Sequence, residues 1–214
     1  MYIPKHFEET RLDVLHQLMR DYPLATVITH GADGINANHI PIYLDAAQGE
    51  FGTLRAHVAR ANPIWQDLQA EIPVLMIFHG PNSYVSPQWN PAKKVHGKAV
   101  PTWNYAVVHC HGHLRVVDDA AFVRANVDEL SSRHEAGLPP PWTLDEAPAD
   151  YAEKMLGAIV GLELVIEKIV GKWKISQNHP GAAQQGVVDG LLAHQGNGAE
   201  AMADLMAARL PVGT

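Results

Sequence analysis

The sequence predicts an antiparallel β-barrel with peripheral helices, and three observations carry that expectation. About six or seven short β-rich runs follow one another, most of them separated by turn residues. Strict strand-helix alternation is absent, which disfavours a doubly wound parallel sheet. Helical periodicity is confined to a few insertions and to the two ends of the chain. With 214 residues, 47% of them hydrophobic and 18% charged, the chain can bury one large core.

Along the chain, residues 8–21 read as a short amphipathic helix, with Leu12, Leu15, Leu18, Met19 and the following Tyr22 at helical spacing, and Pro23 ends it. Residues 24–29 and 35–44 read as a hairpin around His30-Gly31-Ala32-Asp33-Gly34, and a turn at 45–49 leads to a strand at 50–58. Asn62 suits an N-cap and Pro63 a first helical position, so a helix is expected through Ile64, Trp65 and Leu68 to about Ala70. Residues 72–79 form an apolar central strand, Gly80-Pro81-Asn82 a turn, and 83–86 a short strand. The next about fifteen residues, 87–101, are a loop long enough to suggest a role.

Residues 102–117 read as one long strand, and Asp118 or Asp119 caps a helix to Glu135 that Gly137 stops. A helix at 150–159, a strand at 160–169 and a last strand at 171–177 after a glycine turn complete the barrel. From Pro180 onward the pattern is helical and rich in alanine. Residues 1–178 are therefore expected to form the barrel domain and 179–214 its helical extension.

A net charge of -7 is a poor match to a polyanion, and the short run Lys93, Lys94, His96 and Lys98 is the candidate basic patch. The single cysteine, Cys110, excludes an internal disulfide framework and any multi-cysteine zinc site. The opening residues lack an apolar signal core, and no run reaches the ~20 apolar residues of a spanning helix, so a cytoplasmic protein without a membrane segment is expected.

Nucleotide loops, hydrolase elbows and zincin motifs are missing. Residues 54–63 carry a candidate anion site, because strand period two puts Arg55 and His57 on one face and Arg60 stands where the strand meets the expected helix. A solvated strand end with an ordinary cap explains the same residues. His109, His111 and His113 alternate on one strand, with adjacent members ~6.7 Å apart, so two could share a metal but three hardly could. A polar strand face accounts for them equally, and no metal site is assigned. Val100-Pro101-Thr102-Trp103-Asn104-Tyr105 and Gly171-Lys172-Trp173-Lys174-Ile175-Ser176-Gln177-Asn178 place tryptophan beside amides, which suits either a flat ligand with a polar edge or a core.

Six segments in order resemble the PaiB-type FMN-binding negative transcriptional regulators. They are Met1-Tyr2-Ile3-Pro4-Lys5-His6-Phe7, His57-Val58-Ala59-Arg60-Ala61-Asn62-Pro63, Ile77-Phe78-His79-Gly80-Pro81-Asn82-Ser83-Tyr84-Val85-Ser86-Pro87, the two tryptophan segments, and Ile159-Val160-Gly161-Leu162-Glu163. The resemblance runs from Met1 to about Leu192. It implies an antiparallel split β-barrel like that of pyridoxamine-phosphate oxidase, acting as a homodimer with FMN at the subunit interface. It further implies a phosphate held by Arg55, His57, Arg60 and Asn62, and an isoalloxazine ring along Thr26, Asn38, His39 and Ile40. Trp103, Asn104, Trp173 and Gln177 would approach from the other subunit. A regulatory role comes with the resemblance, although the chain shows no helix-turn-helix and its charge does not favour DNA. A flavin-dependent oxidoreductase, with His39, His79 and His109 as available acid or base groups, and a haem-binding protein are the alternatives.

Overall fold

The computed structural model describes residues 1–69, 71–93, 97–194 and 196–210. Ala70 at the expected helix end, and Lys94 and His96 of the basic run, lie outside the described residues. In chain order the strands are β1 (Glu8–Glu9), β2 (Leu24–Gly31), β3 (Gly34–Pro41), β4 (Tyr43–Asp45), β5 (Thr53–Ala59), β6 (Val74–Val85), β7 (Thr102–Gly112), β8 (Leu114–Val117), β9 (Ile159–Val165) and β10 (Lys168–Lys174). The helices are α1 (Leu12–Asp21), α2 (Ala120–Glu135), α3 (Ala149–Gly157), α4 (Gly181–His194) and α5 (Ala199–Ala207). Two compact units divide the chain: Met1–Leu15, His79–Val108 and Val170–Thr214 in the first, His16–Phe78 and His109–Ile169 in the second. Among the described residues no helix is long and apolar enough to cross a membrane.

In the second unit β2 and β3 form the expected hairpin, with Thr26 opposite His39 and Val27 opposite Asn38. The start of β6 pairs with β2 on its other side, Thr26 opposite Ile77 and Ile28 opposite Leu75. A separate sheet has the order β4-β5-β9-β8. Leu54, Ala56 and Val58 alternate into the core, where Leu162 and Leu164 are also buried. Each buried leucine or valine contributes about 1.5–3 kcal/mol by leaving water. On the other face of β5, Arg55 stands opposite Glu163 and His57 opposite Gly161. Helix α2 covers that face. Asp119 caps it by accepting from the Phe122 N–H at 2.8 Å, and Phe122 then lies on Gly161, where an added Cβ would come within 2.5 Å of the ring.

Cys110 is fully buried with its Sγ 3.9 Å from Met19 Sδ, and burial pushes its thiol well above the usual range. Only a thiolate attacks an alkylating agent. Iodoacetamide is therefore expected to leave the native protein unmodified and to add one carbamidomethyl group once denaturant is present, read by intact mass. Alkylation of the native chain at the rate of the unfolded one would contradict this burial.

In the first unit β1 pairs with β10, Glu9 opposite Gly171, and β7 lies between β10 and β6. Glu9 is 6% exposed yet charged, because Arg11 and Arg209 both donate to it: Arg11 Nη2 at 2.7 Å and Arg209 Nη2 at 2.6 Å. Burial alone would raise its pKa, but the Arg11 side-chain and backbone hydrogen bonds, with Arg209, bring it from 4.5 to about 2. Helices α4 and α5 pack together. The Trp89 ring rests on α4 at Gly190, where a Cβ would meet it at 2.3 Å.

Several expected boundaries move, each for a local reason. The expected strand 35–44 is two strands, because Pro41 ends β3 and β4 joins the other sheet. The expected helix at 62–70 is a single 3-10 turn, Pro63–Trp65, whose Ile64 N–H is already capped by Asn62 Oδ1 at 3.0 Å. One turn aligns too few peptide dipoles to act as a helix terminus. Gly80-Pro81-Asn82 does not turn the chain, since β6 runs through it. The long strand 102–117 breaks after Gly112, where a Cβ would sit 2.3 Å from the Val165 carbonyl oxygen. Gly171 makes no turn either. It lies inside β10 because a Cβ there would meet Leu15 Cδ2 at 2.2 Å and the Glu9 oxygen at 2.8 Å.

Candidate functional site

The four expected phosphate residues lie in the second unit, and they divide by partner. The Arg55 guanidinium is committed: Nε donates to Glu163 Oε2 at 3.1 Å, Nη1 lies 3.3 Å from Asp45 Oδ2, and Nη2 bonds Gln48. Glu163 also accepts from Arg115 at 2.6 Å. Burial tends to raise the Glu163 pKa, and the Arg115 and Arg55 hydrogen bonds outweigh it, so the net shift is downward. His57 Nδ1 lies 2.9 Å from Asn126 Oδ1 on α2. An amide oxygen only accepts, so this contact puts the proton on Nδ1. Asn126 Nδ2 is buried without a partner among the described residues.

Arg60 and Asn62 have a different setting. Arg60 makes a bidentate pair with Asp118, Nη1 to Oδ2 at 2.9 Å and Nη2 to Oδ1 at 2.6 Å, and both side chains are widely exposed. That contact raises the Arg60 pKa and lowers the Asp118 one. Asn62 Nδ2 donates to Asn38 Oδ1 at 2.9 Å, and Asn38 Nδ2 donates to Asn36 Oδ1 at 3.1 Å. The three amides form a chain from β3 to the end of β5. Asn36 was not expected at the site, although its alternation with Asn38 and Ile40 along β3 is a readable signal.

The expected ring residues fall on two faces of the hairpin. Thr26 and His39 stand directly opposite each other and share the outer face with Ile28, Leu75 and Ile77. Asn38 and the buried Ile40 lie on the other side. A flat ring can follow one face of a strand and not both.

In the first unit only Trp103 of its four expected residues is widely exposed, at 50%. Its indole N–H donates to Asn82 Oδ1 at 3.3 Å and its ring meets Tyr84 edge-on. Asn104 is buried and paired with Ser176, Nδ2 donating to Oγ at 3.0 Å. Ser176 takes φ 65°, the left-handed region that glycine favours. Trp173 is buried, with the Arg209 guanidinium 5.4 Å from its ring centroid. Gln177 accepts from the Ile175 N–H at 2.8 Å and donates to the Trp173 carbonyl. The histidine row is not continuous, because β7 ends at Gly112 and His113 bonds Glu167 at 2.8 Å.

Residues 1–168 match the family model described as "Putative FMN-binding domain". The chain belongs to the PaiB-type FMN-binding family. "Protease synthase and sporulation protein PAI 2" of Bacillus subtilis is 28% identical over 98% of both chains. An uncharacterized protein of Emericella nidulans is 31% identical, covering 89% of this chain and 90% of its own length. Among solved structures, a conserved hypothetical protein of Mycobacterium tuberculosis superposes with TM-score 0.59 at 12% identity, covering 84% of this chain and 94% of that one. A FAD and haem binding protein of Mycobacterium smegmatis gives TM-score 0.57 at 19% identity, with 78% and 73% covered. At such identities these structures speak for the fold alone. That fold is the antiparallel split β-barrel with peripheral helices, and the cofactor of this PaiB-type chain is FMN.

Proposed function

We propose that this PaiB-type chain is a homodimeric, flavin-responsive regulator in which Arg60, with the Asn38–Asn62 amide pair, holds the FMN phosphate. The observation that carries the assignment is the Arg60 fork, two residues from Asn62, held by the Gly157 and Ile159 carbonyl oxygens and facing one exposed carboxylate, Asp118. An exposed ion pair is weak, so a phosphate can take the place of Asp118. Arg55 is the poorer candidate because two carboxylates, Glu163 and Asp45, already neutralise it in a less exposed setting than the Arg60–Asp118 pair. Bound FMN supplies a ring that accepts one or two electrons. Thr26 and His39, on the outer face, would meet the polar edge of that ring.

Dimerisation is supported by the same outer face, where Ile28, Leu75 and Ile77 are half-buried and Ile35 is 80% exposed. The regulatory role rests on the kinship with the sporulation protein of B. subtilis.

Arg60→Ala is expected to weaken FMN binding roughly ten- to a hundredfold through loss of charge-assisted bonds. Asp118→Asn should instead tighten it, because the competing carboxylate is gone. Both are read by flavin fluorescence quenching during titration of apoprotein, and unchanged affinity in Arg60→Ala removes that residue from the site. A purified protein that neither carries nor takes up flavin would defeat the whole assignment. Rapid multiple turnover with a nicotinamide cofactor in stopped flow would move the reading from regulator to oxidoreductase.

A further inference from the structure

The first unit contains a cavity of about 580 Å³ that the flavin assignment does not use. Its size falls in the range of small-molecule sites. Phe7, Val85 and Val187 are among its apolar lining residues, and Lys98, Lys174, Asn104 and Ser176 among its polar ones. No aspartate or glutamate is among the residues described around it, which is notable in a chain of net charge -7.

Lys174, at the end of β10, is the informative residue. Its ammonium donates to Thr102 Oγ1 and to the Trp103 carbonyl oxygen, both neutral. An ammonium has three N–H donors, so one is left over. Among the described residues no carboxylate lies within ion-pairing distance of it. The adjacent cation, Lys172, bonds the Tyr2 carbonyl and lies 5.2 Å from the Tyr105 ring centroid, so it adds positive charge without neutralising any. Burial, and then the Lys172 charge, push the Lys174 pKa below its ordinary value. A half-buried charge without a counter-ion is costly. Beside it Ser176 keeps φ 65° while its hydroxyl and the Asn104 amide bond each other in both directions, at 3.0 and 3.2 Å. Strain of this kind persists where the surrounding structure requires it and collects at functional sites.

We propose that this cavity binds a small organic monoanion, a carboxylate with an apolar body, whose carboxylate pairs with Lys174 and whose body lies against Phe7, Val85 and Val187. Lys98 lines the same cavity, so the carboxylate would sit in the positive field of two lysines, with Lys174 as the half-buried one it pairs with. A phosphate dianion is less well matched, because no arginine fork is among the described lining residues. This proposal stands without the flavin reading, and its readout is separate from flavin absorbance.

The test is isothermal titration of the full chain with hexanoate, benzoate, the neutral hexanamide and benzamide, and inorganic phosphate. At least one carboxylate is expected to bind saturably at one site per chain, with its amide about tenfold weaker or more. Lys174→Gln should weaken the carboxylate by a similar factor and leave the amide unchanged, and Lys174→Arg should recover most of the loss. Failure of both carboxylates to bind, equal affinity for acid and amide, or wild-type affinity in Lys174→Gln would each overturn the proposal. Phosphate binding tighter than both acids would reassign the cavity to a phosphoryl group. If Lys174→Gln does not fold, the acid and amide arms on the wild-type chain decide alone.

Discussion

Glu9→Gln is expected to lower stability by about 3 kcal/mol at neutral pH, measured as the shift in the urea unfolding curve. The substitution keeps the shape of the side chain and removes the charge that two arginines were placed to meet. Its pH dependence gives a second check. The folded-state pKa of Glu9 is about 2, below the ordinary 4.5, so its contribution is fully present above about 4.5 and is lost as pH falls toward 2. The gap between wild type and Glu9→Gln should close over that window. Glu8→Gln, at the exposed neighbour, should change stability by less than about 0.5 kcal/mol. A gap that persists unchanged to the acid end would show that Glu9 acts through packing and not through charge.

Gly161→Val is expected to cost about 3 kcal/mol or slightly more, at the upper end of overpacking effects. Even its Cβ would come 2.5 Å from the Phe122 ring and 2.7 Å from the Val117 carbonyl oxygen, and the second of these is backbone. Phe122→Ala should therefore rescue Gly161→Val only in part, and a double-mutant cycle in urea measures the coupling. Full rescue would place the whole conflict on the side chain. Because α2 also brings Asn126 to His57, a lifted helix would release the imidazole as well.

Much of the fold was legible because it depends on local signals. β-rich and apolar runs bounded by turn residues located β2, β5 and β6, and the Asp118-Asp119 pair marked the start of α2. The errors arose where tertiary contact sets the local conformation. Gly112, Gly161 and Gly171 read as turn residues or ordinary strand positions, yet each is where another segment comes too close for a side chain. Pro63 promised a helix, and a single 3-10 turn, Pro63–Trp65, follows the Asn62 cap.

The candidate site was legible as a set of residue types and not as a geometry. Arg55 and Arg60 look equivalent in the sequence, but their difference lies in Glu163 and Asp118, residues that are distant in the chain. Asn104 and Gln177 carried the polarity expected of ligand readers, and in the fold they bond Ser176 and the Trp173 backbone. Lys174 was written in one of the noticed segments. Its importance depends on which charges are missing nearby, and a linear sequence does not display that.

The left-handed backbone of Ser176 also bears on how this protein could be improved or spoiled. An engineer seeking heat resistance would choose glycine there, since glycine relieves the backbone without a steric penalty. That exchange would leave the buried Asn104 amide without its hydroxyl partner and strip the polar end of the cavity beside Lys174. Position 176 is thus a point where relaxing the backbone costs a buried hydrogen bond.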